Sequence, residues 1–183
     1  KEDGDFYSVV ASRSKDGSGQ ILMFKSENLK TWELVTILDK SENKLGRMWE
    51  CPDFFNIDGK NVLVISPQEV RATKDGFHNG NNTAFLIGEY DKENKKFNRE
   101  KTKVIDFGLD YAPQTFEDKD GRRIMIGWMH SWENRIIPNE FKWCGMMTIP
   151  REIRIKDNNV IQTPIKEIEN YYGDTVKYEK ITI

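Results

Sequence analysis

Arg47-Met48-Trp49-Glu50-Cys51-Pro52-Asp53-Phe54-Phe55 places one carboxylic acid between an indole and a Cys-Pro step, directly ahead of the alternating run Phe54 to Ile65. Side chains along a strand point alternately to opposite faces, so this run reads as strand rather than helix. Asp58-Gly59 divides it into Asp53 to Ile57 and Asn61 to Ser66, a hairpin signal, since such turns need residues that accept positive φ. Glu50 itself is flanked by large apolar groups, an arrangement that raises a carboxyl pKa because desolvation disfavours the ionised form. A carboxyl kept protonated near neutrality is what a general acid requires. The plainer alternative is a Glu at a strand start, held in a structural salt bridge.

Outward from this stretch the chain reads as short strands punctuated by turns. Phe6 to Ala11, Gln20 to Lys25 and Trp32 to Ile37 precede it, separated by Lys15-Asp16-Gly17-Ser18-Gly19 and Ser26-Glu27-Asn28-Leu29. Thr83 to Tyr90 follows it, then the charged turn Asp91 to Lys96 and two short strands near Phe97 and Thr102 to Asp106. Tyr111 to Glu117 and Arg122 to Met129 make a second hairpin across Asp118-Lys119-Asp120-Gly121; Gly145 to Ile149, Arg151 to Lys156 and Val160 to Gln162 complete the series. The expected fold class is all-β. Sets of roughly four antiparallel strands suggest propeller blades: one near 6–37 lacking its first strand, a second near 53–106 and a third near 111–162. A two-sheet sandwich of the same strands is the alternative. Thr163 to Tyr172 suggests a short helix and Thr175 to Ile183 a further strand.

Bulk composition excludes several classes. The 183 residues carry a formal net charge of −2, with 37% hydrophobic and 32% charged residues. No basic excess marks a nucleic-acid surface, and no run approaches the ~20 apolar residues of a membrane span. Two cysteines, Cys51 and Cys144, make no disulfide framework, which fits a reduced, cytoplasmic setting. His78 and His130 stand in unrelated contexts, so no metal site is expected, and no cofactor-binding glycine or phosphate-loop motif is present.

Four ordered segments carry a resemblance. They are Trp49-Glu50-Cys51-Pro52-Asp53 followed by Phe54-Phe55; Asp106-Phe107-Gly108-Leu109-Asp110-Tyr111-Ala112-Pro113-Gln114-Thr115-Phe116; Gly121-Arg122-Arg123-Ile124-Met125-Ile126-Gly127-Trp128-Met129-His130-Ser131-Trp132; and Trp143-Cys144-Gly145 through Pro150-Arg151-Glu152. In this order they resemble glycoside hydrolase family 32, the invertases, sucrose-6-phosphate hydrolases, levanases and inulinases. The resemblance implies a five-bladed β-propeller, of which this chain holds about three blades, and cleavage of β-D-fructofuranosyl bonds with retention. It implies Glu50 as general acid/base. It also implies Asp110 and Tyr111 beside the fructose pocket, where the chain reads Asp-Tyr-Ala for the family's Asp-Phe-Tyr-Ala, and Trp132 as an aromatic at the pocket rim. Tyr111 either supports Glu50, binds sugar hydroxyls or packs in a blade core.

Other residues read as structural. Asp53 lies at an odd offset from Glu50 and is expected on the opposite strand face. Arg47 either pairs with a carboxylate or is solvated. Cys51 has no His near it in sequence to activate it. Trp128 and Trp32 are expected in packing, Trp143 is unassigned, and Gln68 with Asp75 to Asn82 forms a candidate rim loop.

The resemblance divides the chain into 1–162, part of a catalytic propeller, and 163–183, a linker and the first strand of a β-sandwich. Both ends read as cut from a longer enzyme, because the family's Asn-Asp-Pro segment with its nucleophilic Asp, and its Arg-Asp-Pro motif, do not occur here. The fragment alone is therefore expected to be inactive, and its unpaired blade edges to favour association with a second copy or with its missing half. The expected partner is sucrose, sucrose 6-phosphate or a fructan. Fructosyl transfer to another sugar, and a non-catalytic carbohydrate-binding propeller, remain as alternatives.

Overall fold

The computed structural model describes residues 4–74, 76–78, 80–106, 108, 110–130, 140–174, 176–177 and 179. Among them eleven strands form three antiparallel sheets. The first is β1 (Phe6–Arg13), β2 (Gly19–Ser26) and β3 (Glu33–Lys40), in that order. The second is β4 (Met48–Ile57), β5 (Lys60–Gln68), β6 (Ala84–Asp91) and β7 (Lys96–Val104). The third is β8 (Tyr111–Glu117), β9 (Arg123–Trp128), β10 (Arg151–Lys156) and β11 (Asn159–Pro164), followed by a 3-10 helix, Lys166–Tyr171. Each sheet is a meander of chain neighbours.

The tightest turns follow from local chemistry. Asp58 and Gly59 both take positive φ, 52° and 77°, and the register closes directly on Ile57 and Lys60. Asp157 and Asn158, at φ 52° and 55°, close β10 on β11 in the same way. A two-residue hairpin twists correctly only with such mirror-image turns, and Asp, Asn and Gly adopt them at low cost.

The middle sheet shows why the architecture is a stack of blades and not a two-sheet sandwich. Val62, Leu63, Val64 and Ile65 of β5 are all fully buried, as are Ala84, Phe85, Leu86 and Ile87 of β6. Leu63, Ile65, Ala84 and Leu86 join Ile21, Met23, Leu38 and Trp49 in a core against the first sheet. Their alternates Val62, Val64, Phe85 and Ile87 join Met125, Ile153 and Ile155 in a second core against the third sheet. A sheet buried on both faces loses the apolar-polar alternation and reads as a continuous hydrophobic run. The molecule thus comprises three consecutive blades of a β-propeller, the first with three strands.

Some expected boundaries shift. β4 begins at Met48, ahead of the expected Asp53, so Glu50 lies within a strand. The two short strands expected near Phe97 and Thr102 are one, β7, with a register shift opposite Ile87 and Gly88. Gly145 to Ile149 forms no strand; Met147 makes only an isolated bridge to Trp128. Thr163 to Tyr172 yields the 3-10 helix, and most of the strand expected after Thr175 lies outside the described residues.

Candidate active site

The first strand of the middle blade is broken by a bulge at the residues that make it distinctive. Glu50 pairs with Ser66 and Asp53 with Val64, so Cys51 and Pro52 together occupy one partner's space on β5. Cys51 takes φ 46°, and Pro52 has no N–H to give the ladder. The extra residue restores parity. Residues directly opposite in an antiparallel pair share a face, and Ser66 and Val64 are two apart, so Glu50 and Asp53 lie on the same side. The expectation that Asp53 turns away from Glu50 is therefore corrected. Both meet β8: the Asp53 carboxylate accepts from the Thr115 backbone N–H at 3.1 Å and from the Thr115 hydroxyl.

Glu50 is partly exposed, and its Oε2 accepts a 2.9 Å hydrogen bond from the Tyr111 hydroxyl, across 61 positions of sequence. The same hydroxyl stands 3.4 Å from the Ser66 carbonyl. Burial, followed by the Glu50 carboxylate, pushes the Tyr111 phenol well above its ordinary range, so it remains a neutral donor. Tyr111 opens β8, where the pairs Tyr111–Trp128 and Gln114–Ile126 define a second bulge, with Ala112 at φ 51°. The fully buried Ser66 accepts the Ala112 N–H on its hydroxyl at 3.0 Å.

Behind Glu50, Trp49 is fully buried and its indole N–H donates to the Leu45 carbonyl at 2.7 Å. A Cβ at Gly19 would stand 2.5 Å from the Trp49 backbone nitrogen, so β2 can approach this point only as glycine.

Asp110 faces a different group. Its carboxylate is 1% exposed and accepts from Arg151 at 2.7 Å, while Arg151 also donates to Asp106 at 2.6 Å. Burial raises the Asp110 carboxyl above its usual range and the neighbouring Asp106 adds to this, against the opposing pull of Arg151. Gly127 makes room for it: a Cβ there would meet Asp110 Oδ1 at 2.1 Å.

The structure thus brings Glu50 and Tyr111 together, seats Asp110 in a buried ion pair beside them, and leaves Trp132 outside the described residues. Ser66, Thr115 and Arg151 were not singled out from sequence; all three act through residues distant in the chain. Arg47 is exposed and lies 3.5 Å from Glu69. Burial raises the Cys51 thiol, with Glu50 adding to it, which disfavours a thiolate nucleophile. Trp32, expected in the core, is 39% exposed, and Trp143 is exposed and stacks on Phe141 at 4.8 Å. Among the described residues no group of three His, Cys, Asp or Glu side chains could hold a metal ion, and no helix is long and apolar enough to cross a membrane. A cavity of about 700 Å³, lined by Tyr7, Phe54, Asn56, Asn61 and Tyr90, lies toward the other end of β4 and does not include Glu50.

The sequence model of the glycosyl hydrolases family 32 N-terminal domain matches residues 1–164. A sucrose-6-phosphate hydrolase of Zymomonas mobilis is 38% identical over 182 residues, covering 92% of this chain and 35% of the relative. A raffinose invertase of Escherichia coli is 32% identical over 170 residues, covering 92% and 36%. The chain therefore spans about a third of the length of the curated relatives it matches. Among solved structures, a Bombyx mori GH32 beta-fructofuranosidase superposes with a TM-score of 0.90 at 33% identity, covering 97% of this chain and 38% of that one. A mutant of the same enzyme in complex with sucrose matches equally well.

Proposed function

The chain belongs to glycosyl hydrolase family 32, and from that premise we propose that the longer protein containing it hydrolyses β-D-fructofuranosyl bonds, with Glu50 as general acid/base. The observation that carries this reading is the Tyr111 hydroxyl donating to Glu50 at the bulge of β4, within Trp49-Glu50-Cys51-Pro52-Asp53. A side chain that gives up a proton and later takes one back needs a partner that stabilises its charged form without removing the proton. A neutral phenol fulfils this.

In a retaining glycosidase two carboxyl groups flank the scissile bond at roughly 5–5.5 Å. Glu50 protonates the departing sugar oxygen; it then deprotonates the water that releases the fructosyl group from the second carboxylate. The chain contains neither Asn-Asp-Pro nor Arg-Asp-Pro, and in this reading the attacking carboxylate belongs to the longer protein. To Trp132 we assign, on its motif, an aromatic surface at the pocket rim. Asp110 acts from behind, through Arg151. The names of the relatives favour sucrose, its 6-phosphate or raffinose as the donor sugar.

The test is sucrose hydrolysis by the full-length enzyme with and without Glu50→Gln. Loss of the general acid lowers the rate by on the order of 10²–10⁴. Equal rates would sink the assignment. The 183-residue chain alone is expected to release no fructose.

A further inference from the structure

β4 and β8 each stand at the edge of their sheet and lie against one another between the middle and third blades. Edge strands and bulges both leave backbone N–H groups without a ladder partner. Two such groups on β8 are taken by side chains of the middle blade. The Ala112 N–H donates to the Ser66 hydroxyl at 3.0 Å. The Thr115 N–H donates to the Asp53 carboxylate at 3.1 Å, and the Thr115 hydroxyl joins it there. The bulge of β8 sets their spacing of three residues, where the outward N–H groups of a regular strand recur every two. Ser66 is fully buried directly opposite Glu50, and Asp53 is the first residue paired after the bulge of β4. The two acceptors therefore flank the break in the strand that carries Glu50.

We propose that Ser66 and Asp53 are positioning residues: as acceptors for the β8 backbone they hold the Tyr111 hydroxyl where it donates to Glu50, and so orient the acid toward the departing sugar oxygen. This rests on the assignment of Glu50 as acid/base. Tyr111 opens β8, and its hydroxyl reaches Glu50 at 2.9 Å. The ring is rigid, so the hydroxyl goes where the backbone carries it. A shift of β8 by about 1 Å takes that contact out of hydrogen-bonding range. Asp53 serves here as an acceptor, and its charge is dispensable.

The same two blades are tied again at the far end of β4. Asp58 accepts from Arg154 at 2.6 Å and from the Ile155 N–H at 2.8 Å. That tie joins the sheets away from Glu50 and Tyr111, and it supplies the comparison that separates positioning from general cohesion of the blades.

The experiment uses the full-length enzyme with two substrates, sucrose and p-nitrophenyl β-D-fructofuranoside. Nitrophenolate departs unprotonated, whereas the glucose oxygen of sucrose needs the proton of the acid. A smaller folded fraction lowers kcat/KM for both substrates alike, so their ratio isolates proton donation. Asp53→Leu and Ser66→Ala are expected to lower kcat/KM for sucrose on the order of tenfold, within the range for a misplaced catalytic group, and to leave the aryl fructoside nearly unchanged. Asp53→Asn keeps an oxygen acceptor for Thr115 and restores the sucrose value. Asp58→Gly, which keeps a residue tolerant of positive φ at the hairpin, leaves the ratio at its wild-type value. A wild-type ratio in either Asp53→Leu or Ser66→Ala, an equal loss in Asp53→Asn and Asp53→Leu, or an equal change of ratio in Asp58→Gly overturns the inference. Asp53→Ala replaces Asp53→Leu if that variant does not fold. Glu50→Gln in the same series separates the two ideas. If it leaves the ratio unchanged, the acid/base assignment fails; if it alone changes the ratio, only the positioning role fails.

Discussion

Cys51 and Ala112 occupy the same position in consecutive blades. Each is the positive-φ residue of a bulge, at 46° and 51°, each is followed by proline, and each comes one step after a side chain of the site. The repeated pattern is Glu50-Cys51-Pro52-Asp53 and Tyr111-Ala112-Pro113-Gln114. Positive φ is uncommon outside Gly, Asn and Asp and is disfavoured further by β-branching. Its presence twice, at the two residues that aim Glu50 and Tyr111, marks a backbone held in place by its surroundings.

Substitution at Ala112 tests how much the second bulge depends on a small residue. Ala112→Val is expected to lower stability by about 1–2 kcal/mol, the range for forcing a residue into a sparsely populated backbone region. Ala112→Gly relieves that strain but loosens the unfolded chain by a similar amount, and should stay within about 0.5 kcal/mol of wild type. Urea unfolding midpoints at unchanged slope decide it; equal losses for Val and Gly would show that φ at this residue is immaterial.

The Asp110–Arg151 pair predicts both a magnitude and a pH trend. Arg151→Met strands a buried carboxylate and should cost about 3–5 kcal/mol. The folded state raises the Asp110 carboxyl, so this group contributes stability below its unfolded value, and that contribution is lost as pH rises through the folded value. Asp110→Asn removes the titration while Arg151 keeps Asp106. The Tm difference between Asp110→Asn and wild type should therefore move in the variant's favour from acid toward neutral pH. A constant difference across that window contradicts the trend.

Gly19→Ala places a methyl against the backbone of Trp49, which cannot rotate away as a side chain could. Overpacking of this kind costs about 1–3 kcal/mol. Because the displaced backbone adjoins Glu50, turnover of the full-length enzyme should fall along with stability. A variant that loses stability but keeps wild-type kcat would show that Glu50 is insulated from its neighbour.

How much of this could be read from the chain varies with the range of the interaction. The hairpin at Asp58-Gly59 was legible because its cause is local: two residues able to take positive φ. The hydrophobic run of β5 was legible as strand, although only the coordinates show that its two faces serve two different cores. Asp53 was misplaced because parity counting assumes an unbroken ladder, and a bulge adds a residue without altering the apolar pattern. Pro52 inside the strand was the available signal. Gly145 to Ile149 has strand-like composition but pairs only at Met147. Trp32 carries the composition of a core residue, yet sits exposed just before β3. The motif drew attention to Glu50 as a candidate. Its hydrogen bond from Tyr111 was not legible, since no local pattern encodes a contact across 61 positions.

That separation has a kinetic side. A site whose two halves lie on different sheets cannot exist in either sheet alone, so it appears only when the second and third blades dock. During unfolding the reverse holds: parting the sheets should separate Tyr111 from Glu50 while most backbone ladders still stand, so in the full-length protein inactivation should run ahead of the loss of circular dichroism on heating.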